Sequence, residues 1–110
     1  MLNTIPYDDF ARSELKIVQI KTAERVEGSE KLLKIIVDDG SDTDRQIISG
    51  IGKYYDPAEL LGKQVVIVTN LEPRMLMGLE SQGMLLAASA GETLALLTPD
   101  QPLPPGSNIK

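Results

Sequence analysis

NLEPRMLMGLESQGMLLAAS, residues 70–89, opens on a proline-ended strand edge and closes on an apolar run of strand length. Pro73 lacks a backbone N–H, so it ends or edges the strand before it. Arg74 then sits among Met75, Met77 and Met84, with Gly78 and Gly83 as points of backbone freedom. The run Met84-Leu85-Leu86-Ala87-Ala88 reads as one strand, entered through Ser81-Gln82-Gly83, which places small polar groups at the rim of a core. No charged catalytic group sits inside that rim. The segment is built to hold a surface rather than to break bonds.

Upstream, residues 15–23 read as a strand whose apolar phase changes: Leu15 and Ile17 alternate on one phase, Val18 and Ile20 on the other. That suits a long, bent or bulged first strand of a small barrel. Residues 24–30 form a polar turn. In the strand 31–39, Leu33, Ile35 and Val37 face inward and Lys34 and Asp38 outward. Asp39-Gly40-Ser41-Asp42 is a hairpin connection in which Gly40 supplies positive φ. Residues 45–51 make a third strand, with its ladder broken at Ser49-Gly50-Ile51-Gly52. Asp56-Pro57-Ala58-Glu59 then combines an acidic N-cap, proline at the first helical position and glutamate three residues after the cap. Gly62 stops this short helix. Residues 63–70 carry Val65-Val66-Ile67-Val68, apolar on both faces and therefore a central strand.

Strands are expected again over 83–88 and 93–98, joined across Ala90-Gly91-Glu92. Three strands, one short helix and further strands is the chain order of an OB-fold. The expected class is all-β: a five-stranded Greek-key barrel, with the short helix between strands 3 and 4. The whole chain, 1–110, reads as one domain. Residues 1–13 and 99–110 are terminal arms. Asp8-Asp9-Phe10-Ala11-Arg12 is expected to form a turn of helix with Phe10, the only phenylalanine, anchored in the core. Pro99, Pro102, Pro104 and Pro105 keep the last segment extended.

The totals narrow the chemistry. A chain of 110 residues buries roughly two-thirds of its unfolded surface on folding. With no histidine and no cysteine, it has no Ser-His-Asp or Cys-His arrangement, thiolate chemistry, disulfide or usual zinc site. The 16 Asp and Glu residues form no recognisable acid–base or metal motif, so no catalytic residue, metal or cofactor is expected. No apolar run of about 18 residues is present and the start, MLNTIPYDDF, lacks a basic region, so a cytoplasmic protein with no membrane partner is expected. The net charge of −5 opposes generic high-affinity binding of nucleic acid, which is usually driven by neutralising phosphates.

Against that balance, Asn-Leu-x-Pro at 70–73, Gly78 and Ser81-x-Gly83-Met84-Leu85-Leu86-Ala87-Ala88 resemble the tRNA-binding OB domain appended to methionyl-tRNA synthetase. The same domain occurs as a free-standing structure-specific tRNA-binding protein and in cytokine-like synthetase cofactors. The resemblance extends through Lys31-Leu32, Val37-Asp38-x-Gly40, Ser49-Gly50-Ile51, Tyr54-Tyr55 and Pro57-Ala58-Glu59-Leu60-Leu61-Gly62-Lys63, and so covers essentially the whole chain. It implies a homodimer joined through the terminal segments that grips the outer corner of folded tRNA by shape. It also implies a non-catalytic beta chain or auxiliary of a methionyl-tRNA synthetase catalytic chain. Three tyrosines and one phenylalanine are few for single-strand stacking, whereas folded RNA is read through phosphate, sugar and shape.

Carried over by position, the candidate tRNA surface is Lys31, Ser49, Asn70, Arg74, Ser81, Gln82 and Met84, with Arg45 and Lys53 nearby. Lys31 and Arg74 are placed to contact phosphates, and Asn70, Ser81 and Gln82 to bond sugar or base edges. Plainer readings stand beside these: Asn70 capping a loop, Ser49 and Gly50 in a bulge, Ser81 closing a turn, and the methionines as packing. Met75, Met77 and Glu72 stand where the resembled family commonly has basic residues. Lys16-Ile17-Val18 replaces its usual Arg-Val-Gly, and Val26-Glu27-Gly28-Ser29-Glu30 its usual turn before Lys31. This lost charge motivates an alternative reading, a protein-interaction or chaperone-like module on the same barrel.

Overall fold

A computed structural model describes residues 3–110. The first two positions of the expected N-terminal arm lie outside the described residues. Eleven elements follow in order: α1 (Tyr7–Ala11), β1 (Leu15–Arg25), β2 (Leu33–Asp38), β3 (Arg45–Ser49), α2 (Pro57–Leu60), β4 (Gln64–Val68), β5 (Arg74–Leu76), β6 (Leu79–Ser81), β7 (Met84–Leu85), β8 (Ala87–Ala90) and β9 (Thr93–Leu96). The main sheet has the antiparallel order β3-β2-β1-β4-β7, and β5-β6 and β8-β9 are separate two-stranded ribbons. The result is a nearly closed five-stranded barrel of the OB type.

The change of phase in β1 has a structural cause. Ile20 pairs with Val37 and Thr22 with Ile36, which leaves Lys21 as the extra residue of a bulge. The bulge bends the strand so that its first half pairs with β4 and its second with β2. Val18 and Ile20 then reach the core with Leu33, Ile35, Val37, Ile47, Val65, Ile67 and Leu60. β4 is buried throughout Val65–Val68, as a strand flanked by β1 and β7 must be. Beneath the barrel, Asp56 caps α2 by accepting from the Ala58 N–H, and Glu59 reaches back to the Asp56 N–H. This is the reciprocal capping box, and Leu60 is the residue it drives into the core.

The barrel closes between β3 and the segment before β7. Here side chains replace a strand partner. The Gln82 N–H donates to the Gln46 carbonyl at 2.8 Å, and the Gln46 N–H returns to Gln82 Oε1 at 3.0 Å. One step along, the buried Ile48 N–H donates to Ser81 Oγ at 2.9 Å. Gly83 follows with φ +151°, and a Cβ there would meet the Val68 carbonyl at 2.9 Å and Ile47 Cδ1 at 3.0 Å. Only glycine lets the chain turn so close to the wall.

Three expectations are corrected. Residues 83–88 are not one strand: β7 ends at Leu85, and β8 leaves to pair with β9. Leu86 marks the change, since its N–H bonds back to Val66 while its carbonyl accepts from Leu97. Residues 74–81, to which the sequence reading assigns no strand, form the hairpin β5-β6, turned by Met77 and Gly78 at φ +48° and +78°. Phe10 is not a core anchor. α1 buries none of its residues, and Phe10 stays exposed beside Tyr7, because branched aliphatics from the strands already fill the barrel.

The C-terminal arm is extended, as expected, and lies along the part of β1 that β2 leaves free. The Ile17 N–H donates to Ser107 and the Ile17 carbonyl accepts from Gly106, and the Ile109 N–H donates to Leu15. Truncating Ser81 to alanine leaves the Ile48 N–H buried without an acceptor. The expected cost is about 1–3 kcal/mol, read as a lower urea midpoint with an unchanged slope.

Candidate nucleic-acid interface

The predicted site residues fall into two groups. Arg45, Asn70, Ser81 and Gln82 gather at the barrel seam, with Arg74 at the base of the β5-β6 hairpin. Lys31, Ser49 and Lys53 gather at the other end of the β2–β3 face. There Ser49 lies across from Leu33, and the Gly52 N–H donates to the Lys31 carbonyl at 2.7 Å. The hairpin joins the groups, because Leu76 and Leu79 pack on a small apolar cluster of Val26, Leu32 and Ile48.

At the seam most polar groups are already engaged. Asn70 Oδ1 accepts from the Glu14 N–H at 2.8 Å, and its Nδ2 donates to the Arg12 carbonyl at 2.7 Å. The side chain thus ties the end of β4 to the N-terminal arm, as the loop-capping reading held. The Ser81 hydroxyl is buried, accepting from Ile48 and donating to the Gly83 carbonyl. Gln82 uses Oε1 in the seam and donates from Nε2 to Glu80 at 3.2 Å. Ser49 closes the β2–β3 ladder at the last paired position.

Arg45 is a clasp. Its Nε donates to Asp39 Oδ2 at 3.0 Å, and one terminal nitrogen donates to the Thr69 and Gln82 carbonyls. Guanidinium geometry suits this, since one planar fork can tie the β2–β3 turn to two points of the following loop. The adjoining groove, about 470 Å3, is lined by Lys16 and Arg45 against Glu14, Asp39 and Asp44, a balance unfavourable to phosphate.

The remaining predicted residues are open. Lys31, Lys53 and Arg74 are exposed, and none takes part in an ion pair among the described residues. Met84 is half exposed across from Val68, and Met75 and Met77 stand out from the hairpin. Packing within the chain's own barrel therefore does not explain these methionines, although Met77 Cε lies 3.4 Å from where a Cβ on Gly28 would sit. Arg25, absent from the predicted set, joins the Lys31 group through a 2.8 Å bond from Nη1 to the Gly52 carbonyl. Its place depends on a turn 27 residues away, which no local pattern announces.

The family is established by comparison. Residues 15–108 match a family model described as "Putative tRNA binding domain". The chain is 50% identical over 107 residues to a methionine–tRNA ligase of Thermotoga maritima, covering 97% of this chain and 17% of that protein. The chain thus spans about a sixth of the length of the curated relatives it matches. Among solved structures, the methionyl-tRNA-synthetase-related protein of Pyrococcus horikoshii superposes with a TM-score of 0.92 at 34% identity, over 99% of this chain and 100% of that one. The chaperone CsaA of Bacillus anthracis superposes with a TM-score of 0.88 at 28% identity, over 97% and 99%. The chain belongs to the tRNA-binding OB domain family, which joins methionyl-tRNA synthetases to chaperone CsaA proteins.

Asp39 gives the seam a pH signature. Burial pushes its carboxyl up, but bonds from the Ser41 hydroxyl and amide, and the Arg45 guanidinium, outweigh this and hold it below its ordinary 3.8. A carboxyl so lowered stabilises the fold while ionised, an effect present above about pH 3.8 and lost as pH falls through the lower folded value. Asp39→Asn is expected to lower stability at neutral pH and to flatten the acid limb of a pH–stability curve measured by urea unfolding.

Proposed function

We propose that this chain is a non-catalytic module that holds folded tRNA by its shape and phosphate backbone, working as a homodimer beside a methionyl-tRNA synthetase catalytic chain in the cytoplasm. The observation that carries this reading is the placement of Lys31, Lys53 and Arg74. They are exposed cations without ion-pair partners among the described residues, on the β1–β2 connection, the turn after β3 and the β4–β7 connection. Those connections flank the β2–β3 face, where OB barrels take up nucleic acid. Raising the local tRNA concentration needs no chemistry from the chain, in keeping with a composition that has no histidine or cysteine.

Two further features support the reading. Among the described residues the wall cations Lys21 and Lys34 are neutralised by Asp44 and Glu24, whereas Lys31, Lys53 and Arg74 keep their charge free. The arms carry Ile5, Tyr7, Phe10 and Leu103 as exposed apolar side chains, which a second copy would cover. Sedimentation is expected to give about twice the chain mass of 12.0 kDa; a monomer at all concentrations would remove the dimer from this proposal.

Bulk tRNA is expected to bind with a logarithmic affinity that falls steeply with salt. Arg74→Glu is expected to weaken binding by roughly tenfold or more and to lower the slope by about one. No binding at low ionic strength would overturn the tRNA reading. The second reading, a chaperone-like protein-interaction module, draws on Leu71, Met75, Met77 and Met84, exposed around the hairpin. Peptide capture that survives nuclease treatment would favour it.

A further inference from the structure

We infer that Arg25, together with Lys31 and Lys53, forms a phosphate-binding subsite for the RNA backbone at the end of the barrel remote from the seam, with Arg25 as its central contact. This inference rests on the tRNA reading above. The three cations come from separate stretches: the end of β1, the connection to β2, and the turn after β3. Gly52 is the point where they meet. Its carbonyl accepts from Arg25 Nη1 at 2.8 Å and its N–H donates to the Lys31 carbonyl at 2.7 Å, while Lys53 is the next residue.

The approach is close enough to require glycine. A Cβ on Gly52 would stand 2.8 Å from the Lys31 carbonyl oxygen and 3.2 Å from Arg25 Nη1. The turn is thus pressed against the base of the β1–β2 connection, and backbone contacts rather than charge hold the backbone of Lys31 and of the Gly52–Lys53 turn beside the Arg25 guanidinium. Like charges brought together in this way repel and cost stability unless an anion joins them.

The state of the side chains points the same way. Arg25 is exposed and uses one terminal nitrogen for the Gly52 carbonyl, and its Nε and Nη2 make no hydrogen bond among the described residues. A guanidinium fixed at one nitrogen and open at the others is preorganised for a phosphate oxygen pair. Among the described residues none of Arg25, Lys31 and Lys53 takes part in an ion pair. Of the nearby acids, Glu24 is held by Lys34 at 2.9 Å, and Glu27 and Glu30 pair with no cation among the described residues. Tyr54, beside Lys53, is half exposed and offers a face on which a base can stack, which favours RNA over an acidic peptide.

The test is tRNA binding against salt for the wild type, Arg25→Gln and Arg25→Lys, with thermal unfolding of each. Arg25→Gln is expected to weaken binding by roughly tenfold and to lower the salt slope by about one, while Arg25→Lys keeps the slope. Both variants lose the guanidinium bond to the Gly52 carbonyl, so a merely structural role would lower their melting temperatures and leave both slopes at the wild-type value. That result would overturn the inference. If Arg25→Gln fails to fold, an unchanged slope for the double variant Lys31→Gln, Lys53→Gln would overturn it as well. Failure of the wild type to bind tRNA would instead overturn the reading on which the inference rests.

Discussion

The barrel depends on a seam made by two side chains. A five-stranded sheet this small must bring its last strand back to β3, yet β7 has only two residues and pairs with β4. Ser81 and Gln82 supply the missing partner, offering their side-chain oxygens to the Ile48 and Gln46 N–H groups. Because a buried N–H without an acceptor is costly, this closure determines the path of everything between β4 and β7. Gly83 must then turn against the wall, and the hairpin β5-β6 is carried out over Ile48, where Leu76 and Leu79 cover it. The most distinctive motif of the chain is thus, in the first instance, an architectural device.

That division of labour separates the polar residues into two kinds. Asn70, Ser81, Gln82 and Arg45 have their bonds within the fold: Asn70 to the N-terminal arm, the other three along the seam. Lys31, Lys53, Arg74 and Arg25 have charge in excess of what the fold uses. A net charge of −5 is an average over the surface, whereas a bound polyanion responds to the local field. Lys21, Lys34 and Arg45 are neutralised by Asp44, Glu24 and Asp39, while Lys31, Lys53 and Arg74 carry charge that no ion pair among the described residues takes up. The two exposed pairs, Lys21–Asp44 and Lys34–Glu24, contribute little to stability, about 0–1 kcal/mol each, so their main effect is on where the free charge lies. The part-buried Arg45–Asp39 pair also clasps the seam.

Much of the fold was legible along the chain because its signals are local. The two-residue alternation of Leu33, Ile35 and Val37, the capping box at Asp56 and Glu59, and the doubly apolar Val65–Val68 each reflect contacts within a few residues or a burial state that one strand declares by itself. The family resemblance was legible for a related reason: its spaced motifs fall at turns, caps and the seam. Residues 74–81 were not legible as a hairpin, since Met77 is a poor residue for positive φ and its turn is selected by packing over Ile48. Nor was the end of β7, because Leu86 and Ala87 are as apolar as Leu85, and only the pairing with β9 divides them.

The sequence by itself determined that the chain is an all-β barrel of the tRNA-binding type, with no histidine or cysteine chemistry, because residue inventory, periodicity and motif spacing are properties of one dimension. Only the tertiary structure decided which polar residues close the barrel and which remain open to a ligand. Ser81 and Lys31 look equally available in a string of letters. One hydroxyl turns out to be buried against Ile48 and the other side chain exposed, because the difference lies in which distant N–H groups need an acceptor once the sheet has curled on itself.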